Sequence, residues 1–414
     1  MKRVSYRLSA YSSDLFGVAS ALFELGGLTV IHDASGCNST YTTHDEPRWY
    51  DMDSMVYISA LTESDAVMGN DKKIIDDIIR TAKESKPKFI ALTSSPLPMI
   101  MGTDFKGIAR LIQKHTGIET MGFNTNGMNT YDAGISESLA ELARRFCKNS
   151  DSSNSPRDNS ASASTSSAKK INLLGITPLD FSINGNAKAL KKYYESQGYE
   201  VLSTWAMGNT LEELIYGAQN ADLNIAVTLA GIKTARVLKS IYGTPFITEC
   251  PIGKNFTSFY KKENNTSRPR PGKKTRNEKV VIIGEGLISL ELKACLIKDF
   301  GFNDVKIISP LKLAGQIFED DINLTDKEFL SKSDYFITDE EEDIAQISQN
   351  ADIIIADPLY NRICTYGKKA SEIKTRFISF PHDAYSGRIF HDELPEFIFD
   401  GTDNWLKDYL GEAE

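Results

Sequence analysis

Residues 28–37 read LTVIHDASGC. The first five of these are mostly apolar or β-branched, the composition of a short buried strand. Upstream, Leu15, Val18, Ala19, Leu22 and Leu25 recur at helical spacing behind Ser12-Ser13-Asp14, a sequence able to cap a helix start. Gly26-Gly27 supplies the stop. Helix, buried strand and then a Gly-Cys loop make one unit of an α/β repeat.

The alternation continues in both directions from this unit. Ile74, Ile75, Ile78, Ile79 and Ala82 form one helical face, and after Pro87 the stretch KFIALTSS reads as a strand. INLLGIT at 171–177, YEVLST and DLNIAVTLAG read as strands, with helices over 186–197 and over TLEELIYGAQNA between them. KVVIIGEG at 279–286, VKIIS at 305–309, ADIIIADP at 351–358 and RFISFP at 376–381 extend the pattern. Short apolar strands separated by helices predict mostly parallel sheets covered on both faces. The expected fold class is α/β, in three lobes.

Two breaks divide the chain. Residues 149–168 are dominated by serine and hold no aromatic or large aliphatic residue, so they predict a disordered linker. Residues 261–278 are strongly basic and read as a solvated loop. The expected domains are therefore 1–148, 169–260 and 279–414.

The 414 residues carry a net charge of -9, which argues against nucleic acid as a partner. No apolar run is long enough to span a membrane, and no secretory leader is evident. The five cysteines, Cys37, Cys147, Cys250, Cys295 and Cys364, form no C-x-x-C pair. That excludes local zinc-finger and ferredoxin-type motifs and argues against a disulfide scaffold, so a reducing, cytoplasmic setting is expected.

In open parallel sheets, ligands gather beyond the carboxyl ends of strands. Four post-strand loops stand out. Gly36-Cys37 follows the first strand, where a nearby helix start would favour a thiolate. Ser94-Ser95-Pro96 begins a loop that runs to Gly102-Thr103-Asp104. Gly284-Glu285-Gly286 is followed by Ser289, an incomplete dinucleotide fingerprint better read as a tight strand-to-helix turn. With that fingerprint incomplete, NAD binding is not expected, and with no phosphate loop in the sequence ATP binding is not expected either. The loop Pro381–Arg388 offers His382 for proton transfer and Arg388 for an anion. The acidic run 339–343 reads as a solvated face.

Taken in order, several segments resemble the nitrogenase component 1 family, which includes nitrogenase catalytic subunits, cofactor-assembly scaffold subunits and dark-operative tetrapyrrole reductases. IHDASGC at 31–37 is similar to the family's cluster loop. SALTESDAVMG at 59–69, SSPLPMIMGTD at 94–104, INLLGITPLD at 171–180, GTPFITECPIG at 243–253 and ADPLY at 356–360 follow in the family's order. The resemblance implies three Rossmann-like domains and an iron–sulfur cluster, of 4Fe–4S type, shared between paired subunits. It also implies a sister subunit or homodimer and an ATP-hydrolysing iron protein as electron donor. By position, Cys37 is the counterpart of a cluster cysteine.

The chain departs from the family pattern in two places. It has no cysteine in residues 1–30, and Ser94 and Ser95 stand where the family places another. One thiolate per chain cannot complete a four-ligand cluster. Ser94, Ser95 and Asp33 are the candidate oxygen ligands, and Gly36, Ser94, Ser95, His382 and Arg388 join Cys37 as candidate cofactor-binding residues. The leading expectation is a nitrogenase-like oxidoreductase subunit that passes electrons to a substrate or metallocofactor. The alternatives are a non-catalytic scaffold for a cofactor precursor and a cluster-free chelate- or tetrapyrrole-binding protein.

Overall fold

The computed structural model describes residues 8, 11–34, 36, 45–148, 168–254, 275–324, 327–365 and 374–411. Cys37 and most of the Ser-rich and basic stretches lie outside them. The fold is α/β, built on three all-parallel sheets.

The first sheet has the order β2-β1-β3-β4, from β1 (Leu28–His32), β2 (Met55–Ile58), β3 (Ile90–Ser94) and β4 (Thr120–Gly122). β1 and β3 are central and buried at every position, as their continuous apolar runs require. Helix α1 (Asp14–Leu22) stops before the predicted Leu25, which is buried instead in the turn over 23–26. α2 (Glu63–Met68) buries none of its residues and rests on a capping box between Thr62 and Asp65. Asp65 also meets Lys73 and Asn70, and these bonds hold its carboxyl well below the usual range. α3 (Asp71–Ser85) buries Ile74, Ile78 and Ala82. α4 (Pro96–Met101), α5 (Phe105–Thr116) and α6 (Tyr131–Phe146) complete the unit.

α1 and α6 cross at van der Waals limits. A Cβ on Gly17 would fall 1.9 Å from the Tyr131 carbonyl oxygen, and one on Gly134 would fall 1.8 Å from that of Asp14. Glycine at both positions is what lets the backbones approach.

The second sheet repeats the strand order of the first, as β6-β5-β7-β8. Its strands are β5 (Lys169–Leu174), β6 (Tyr199–Trp205), β7 (Leu223–Ala226) and β8 (Phe246–Thr248). α7 (Asn186–Ser196), α8 (Leu211–Asn220) and α9 (Ile232–Tyr242) pack around it.

The third sheet runs β11-β10-β9-β12-β13, from β9 (Arg276–Ile283), β10 (Phe302–Ser309), β11 (Tyr335–Ile337), β12 (Ile353–Ala356) and β13 (Arg376–Ser379). Its α10 (Gly286–Lys298) is buried on all sides through Leu296, the pattern of an interior helix. α11 (Glu341–Ser348) and α12 (Asp400–Leu410) finish the unit. One apolar cluster takes Leu139 and Tyr131 from the first unit, Leu174 and Leu229 from the second, and Leu287 and Ile307 from the third. The sheets thus share a core. Among the described residues no helix is long and apolar enough to cross a membrane.

Candidate functional site

Each sheet reverses its winding beside its first strand: between β1 and β3, between β5 and β7, and between β9 and β12. Such reversals open a crevice at the carboxyl ends of the strands, where ligands bind in doubly wound sheets. The chemistry-bearing residues fall into two groups at these points.

The first group lies at the first sheet's reversal. Register pairs His32 with Ser94 at the ends of β1 and β3. Ser95 Oγ donates to Asp33 Oδ1 at 2.6 Å, and the Asp33 amide donates to Ser59 Oγ at 3.1 Å. Ser59 Oγ also lies 2.7 Å from His32 Nδ1. Burial lowers the pKa of His32, keeping the ring neutral. Ser94 turns inward: its hydroxyl donates to the Ser95 carbonyl and its amide to Thr125 Oγ1. Gly36 is exposed. Ser95 and Asp33 therefore converge just beyond the end of β1, while the Ser94 hydroxyl is tied to backbone.

An apolar rim surrounds this edge. Val67 and Met68 on α2, Ile100 on α4 and Met128 after β4 are 80%, 78%, 77% and 77% exposed. All follow the carboxyl ends of parallel strands, so they share one edge of the sheet.

The second group joins all three units around His382, on the loop after β13. Its Nε2 lies 2.9 Å from the Tyr131 hydroxyl and 3.2 Å from Asp180 Oδ1. Tyr131 donates to Asp180 Oδ1 at 2.5 Å. Nε2 thus faces two oxygens. Nδ1 faces the Tyr11 hydroxyl at 3.4 Å, and Tyr11 stacks on Tyr385 at 4.0 Å. The His382 amide donates to Asp357 Oδ2 at 2.9 Å. Burial pushes both the Asp357 carboxyl and the Tyr131 phenol upward.

Glu285 connects the reversals of the second and third sheets. Its Oε1 accepts from the Leu229 amide at 3.0 Å and its Oε2 from the Ile288 amide at 2.8 Å, capping α10. Burial, with Asp180 and Asp132 nearby, raises its carboxyl to about 8.

Arg388 stands on the His382 loop with φ of 39° and is half-buried, outside the Tyr131–Asp180 bonds. The loop itself is tied to the first unit: Asp45 accepts from the Ser386 hydroxyl at 2.9 Å and from the Gly387 amide at 2.7 Å.

The sequence points to His382, Ser95 and the Ser95 partner Asp33, but not to the partners of His382. Asp180, Glu285 and Asp357 carry a usable signal, each being an early acidic residue after a strand. Tyr131 and Tyr11 carry none, since both are brought to His382 by packing between units. Among the described residues, the thiols Cys147, Cys250, Cys295 and Cys364 are buried and in no disulfide. None of them belongs to the Asp33–Ser95 edge. The donors described there are oxygens and one imidazole, so this chain's described residues do not complete a cubane ligand set.

The family described as Nitrogenase component 1 type Oxidoreductase matches residues 13–263. A nitrogenase iron-molybdenum cofactor biosynthesis protein NifE from Methanosarcina barkeri is 27% identical over 200 residues, covering 47% of this chain and 41% of the relative. One subunit of a light-independent protochlorophyllide reductase, from Cyanophora paradoxa, is 27% identical over 213 residues, 48% of this chain and 46% of the relative. A nitrogenase molybdenum-iron protein alpha chain from Methanothermobacter marburgensis is 25% identical over 235 residues, covering 53% and 47%. The matches thus span about half the length of these curated relatives. Among solved structures, nitrogenase Cp1 at pH 6.5 superposes with a TM-score of 0.63 at 15% identity, covering 95% of this chain and 93% of that one. That likeness concerns the fold.

Proposed function

The chain belongs to the nitrogenase component 1 type oxidoreductase family, and from that premise we propose that it is a subunit of a nitrogenase-like reductase. Each sheet unit is taken as one Rossmann-like domain. The working edge is the carboxyl end of the first sheet, where Asp33 and Ser95 meet and from which the sequence runs on to Cys37. The observation that carries this reading is the exposed apolar rim of Val67, Met68, Ile100 and Met128 around that edge. Exposed apolar surface of this kind marks a protein interface. A sister subunit or second copy docked there brings a second set of ligands to complete an iron–sulfur cluster with Cys37. An ATP-hydrolysing iron protein supplies the electrons.

A second reading, a scaffold for a metallocofactor precursor, draws on one feature of the structure. Tyr131, Asp180 and His382 bond directly to one another where the three units meet, the place a substrate held between lobes would occupy. The NifE relative is named for cofactor biosynthesis.

Anaerobic purification, alone and with a sister subunit, followed by iron and acid-labile sulfide assay tests the cluster. Iron and sulfide that disappear in Cys37→Ser support it. Colourless, iron-free protein from both preparations would sink it. A cluster that no iron protein reduces and no candidate substrate reoxidises favours the scaffold.

A further inference from the structure

The most sharply defined donor cluster outside these groups lies at the far end of α10. Cys295 and Asp299 are one helical turn apart there, and Asp403 comes from α12. One ligand atom from each lies within 4.8 Å of the other two. All three residues are buried, at 3%, 2% and 7% exposure. We propose that Cys295, Asp299 and Asp403 form a binding site for a divalent transition-metal ion of the zinc class, which fastens α12 to α10.

Geometry supports this independently of the residue types. A tetrahedral zinc ion, with a sulfur at about 2.3 Å and an oxygen at about 2.0–2.2 Å, holds the two about 3.5–3.7 Å apart. Cys295 Sγ donates to Asp299 Oδ2 at 3.5 Å, a separation that ligation of both atoms would keep. Asp403 Oδ1 is buried without a hydrogen-bond partner. Its other oxygen, Oδ2, meets Lys254 Nζ at 3.1 Å. A buried carboxylate oxygen left bare is costly unless a ligand meets it. Gly253 holds the space open: at φ +83°, a Cβ there would fall 2.5 Å from Cys295 Sγ and 2.6 Å from Asp299 Oδ2.

The charges also balance. Binding releases the Cys295 thiol proton to water, leaving a thiolate beside two carboxylates. A divalent ion and the Lys254 ammonium together offset those three negative charges. A mixed sulfur and oxygen donor set suits a borderline-soft ion such as zinc better than calcium or magnesium. Three protein ligands leave the fourth position to water.

Cobalt(II) titration of the chelator-treated full chain tests the site. The expected result is a near-ultraviolet thiolate-to-cobalt charge-transfer band that saturates at one equivalent and is displaced by zinc. The band persists in Cys37→Ser and is lost in Cys295→Ser. Asp403→Asn, which keeps the side chain's shape, weakens cobalt binding at least tenfold and serves as the decisive variant if Cys295→Ser does not fold. Absence of the band overturns the site. So does a band that survives Cys295→Ser or vanishes in Cys37→Ser, or an Asp403→Asn protein that binds cobalt like the parent.

Discussion

The Tyr131 hydroxyl donates to Asp180 Oδ1 at 2.5 Å, joining the start of α6 in the first unit to the helical turn Pro178–Phe181 that follows β5 in the second. Asp180 keeps two other contacts, from Thr177 Oγ1 at 3.2 Å and His382 Nε2 at 3.2 Å. The phenol is therefore the shortest of three bonds on a buried carboxyl, and it crosses a boundary between units.

Removing that hydroxyl isolates its contribution. Tyr131→Phe keeps the ring packing and leaves the carboxyl one donor short, so it should lower unfolding stability by about 1–3 kcal/mol. Urea unfolding followed by circular dichroism measures this. The control is Tyr57→Phe, at a position 49% exposed, where no comparable loss is expected.

Glu285 gives stability a pH dependence of predictable sign. Its carboxyl titrates at about 8 when folded, against 4.5 ordinarily. The folded state holds the proton through a range in which the unfolded chain has lost it. The contribution is fully present below 4.5 and is lost as pH rises through 8. At its steepest this is a slope of about 1.4 kcal/mol per pH unit. Glu285→Gln, which stays neutral, should flatten the stability profile between those values. Parallel profiles for the two proteins would assign the proton elsewhere.

Arg48 is buried at 3% exposure. It bonds Glu46 at 2.6 Å, Glu24 at 2.8 Å, the Ser20 carbonyl at 2.7 Å and the Ala206 carbonyl of the second unit at 3.3 Å. Arg48→Met removes the guanidinium from the fully buried Glu46, and a broken buried pair costs about 3–5 kcal/mol. Replacing Glu46 by Leu in the same chain should recover part of that loss. A double variant as unstable as the sum of the two singles would show that the pair is not coupled.

The apolar rim predicts a change in assembly without a change in fold. Met68→Glu with Ile100→Glu, at positions 78% and 77% exposed, should convert an oligomer to monomer in light-scattering chromatography. Exposed substitutions usually shift stability within about 0.5 kcal/mol, so the unfolding midpoint should hold. An oligomer that survives both charges places the interface elsewhere.

At the α1–α6 crossing, Gly134→Ala forces a methyl group to 1.8 Å from the Asp14 carbonyl oxygen. The helices must separate, at a cost of about 1–3 kcal/mol or more. Because Tyr131 starts α6, the same change should also disturb the Tyr131–Asp180 bond. Less than additive loss in Gly134→Ala combined with Tyr131→Phe would register that link.

The interior of the fold was legible because its central strands are buried on both faces. VVII on β9 and IIIA on β12 can be read as continuous apolar runs, and both strands lie inside the third sheet. Short outer strands such as Thr120–Gly122 and Tyr335–Ile337 were not legible, since three residues carry no periodicity. The site divided along the same line. Ser95 follows β3 directly and can be found by counting from a strand. Tyr131 and His382 are 251 positions apart, and only the packing of the units brings them together. Cys37 stands out through its Gly-Cys context and Asp33 as a candidate oxygen, yet the pairing of Asp33 with Ser95 comes from the register of β1 against β3.

The anchors around the Cys37 segment carry a mechanical consequence. On one side, Asp33 is held by Ser95 and Ser59 in the first unit. On the other, Asp45 is held by Ser386 and Gly387 in the third. Asp45 thus couples the first unit to the loop that positions His382, so a load on Asp45 is passed to that loop, while a load on Asp33 is passed to the sheet edge.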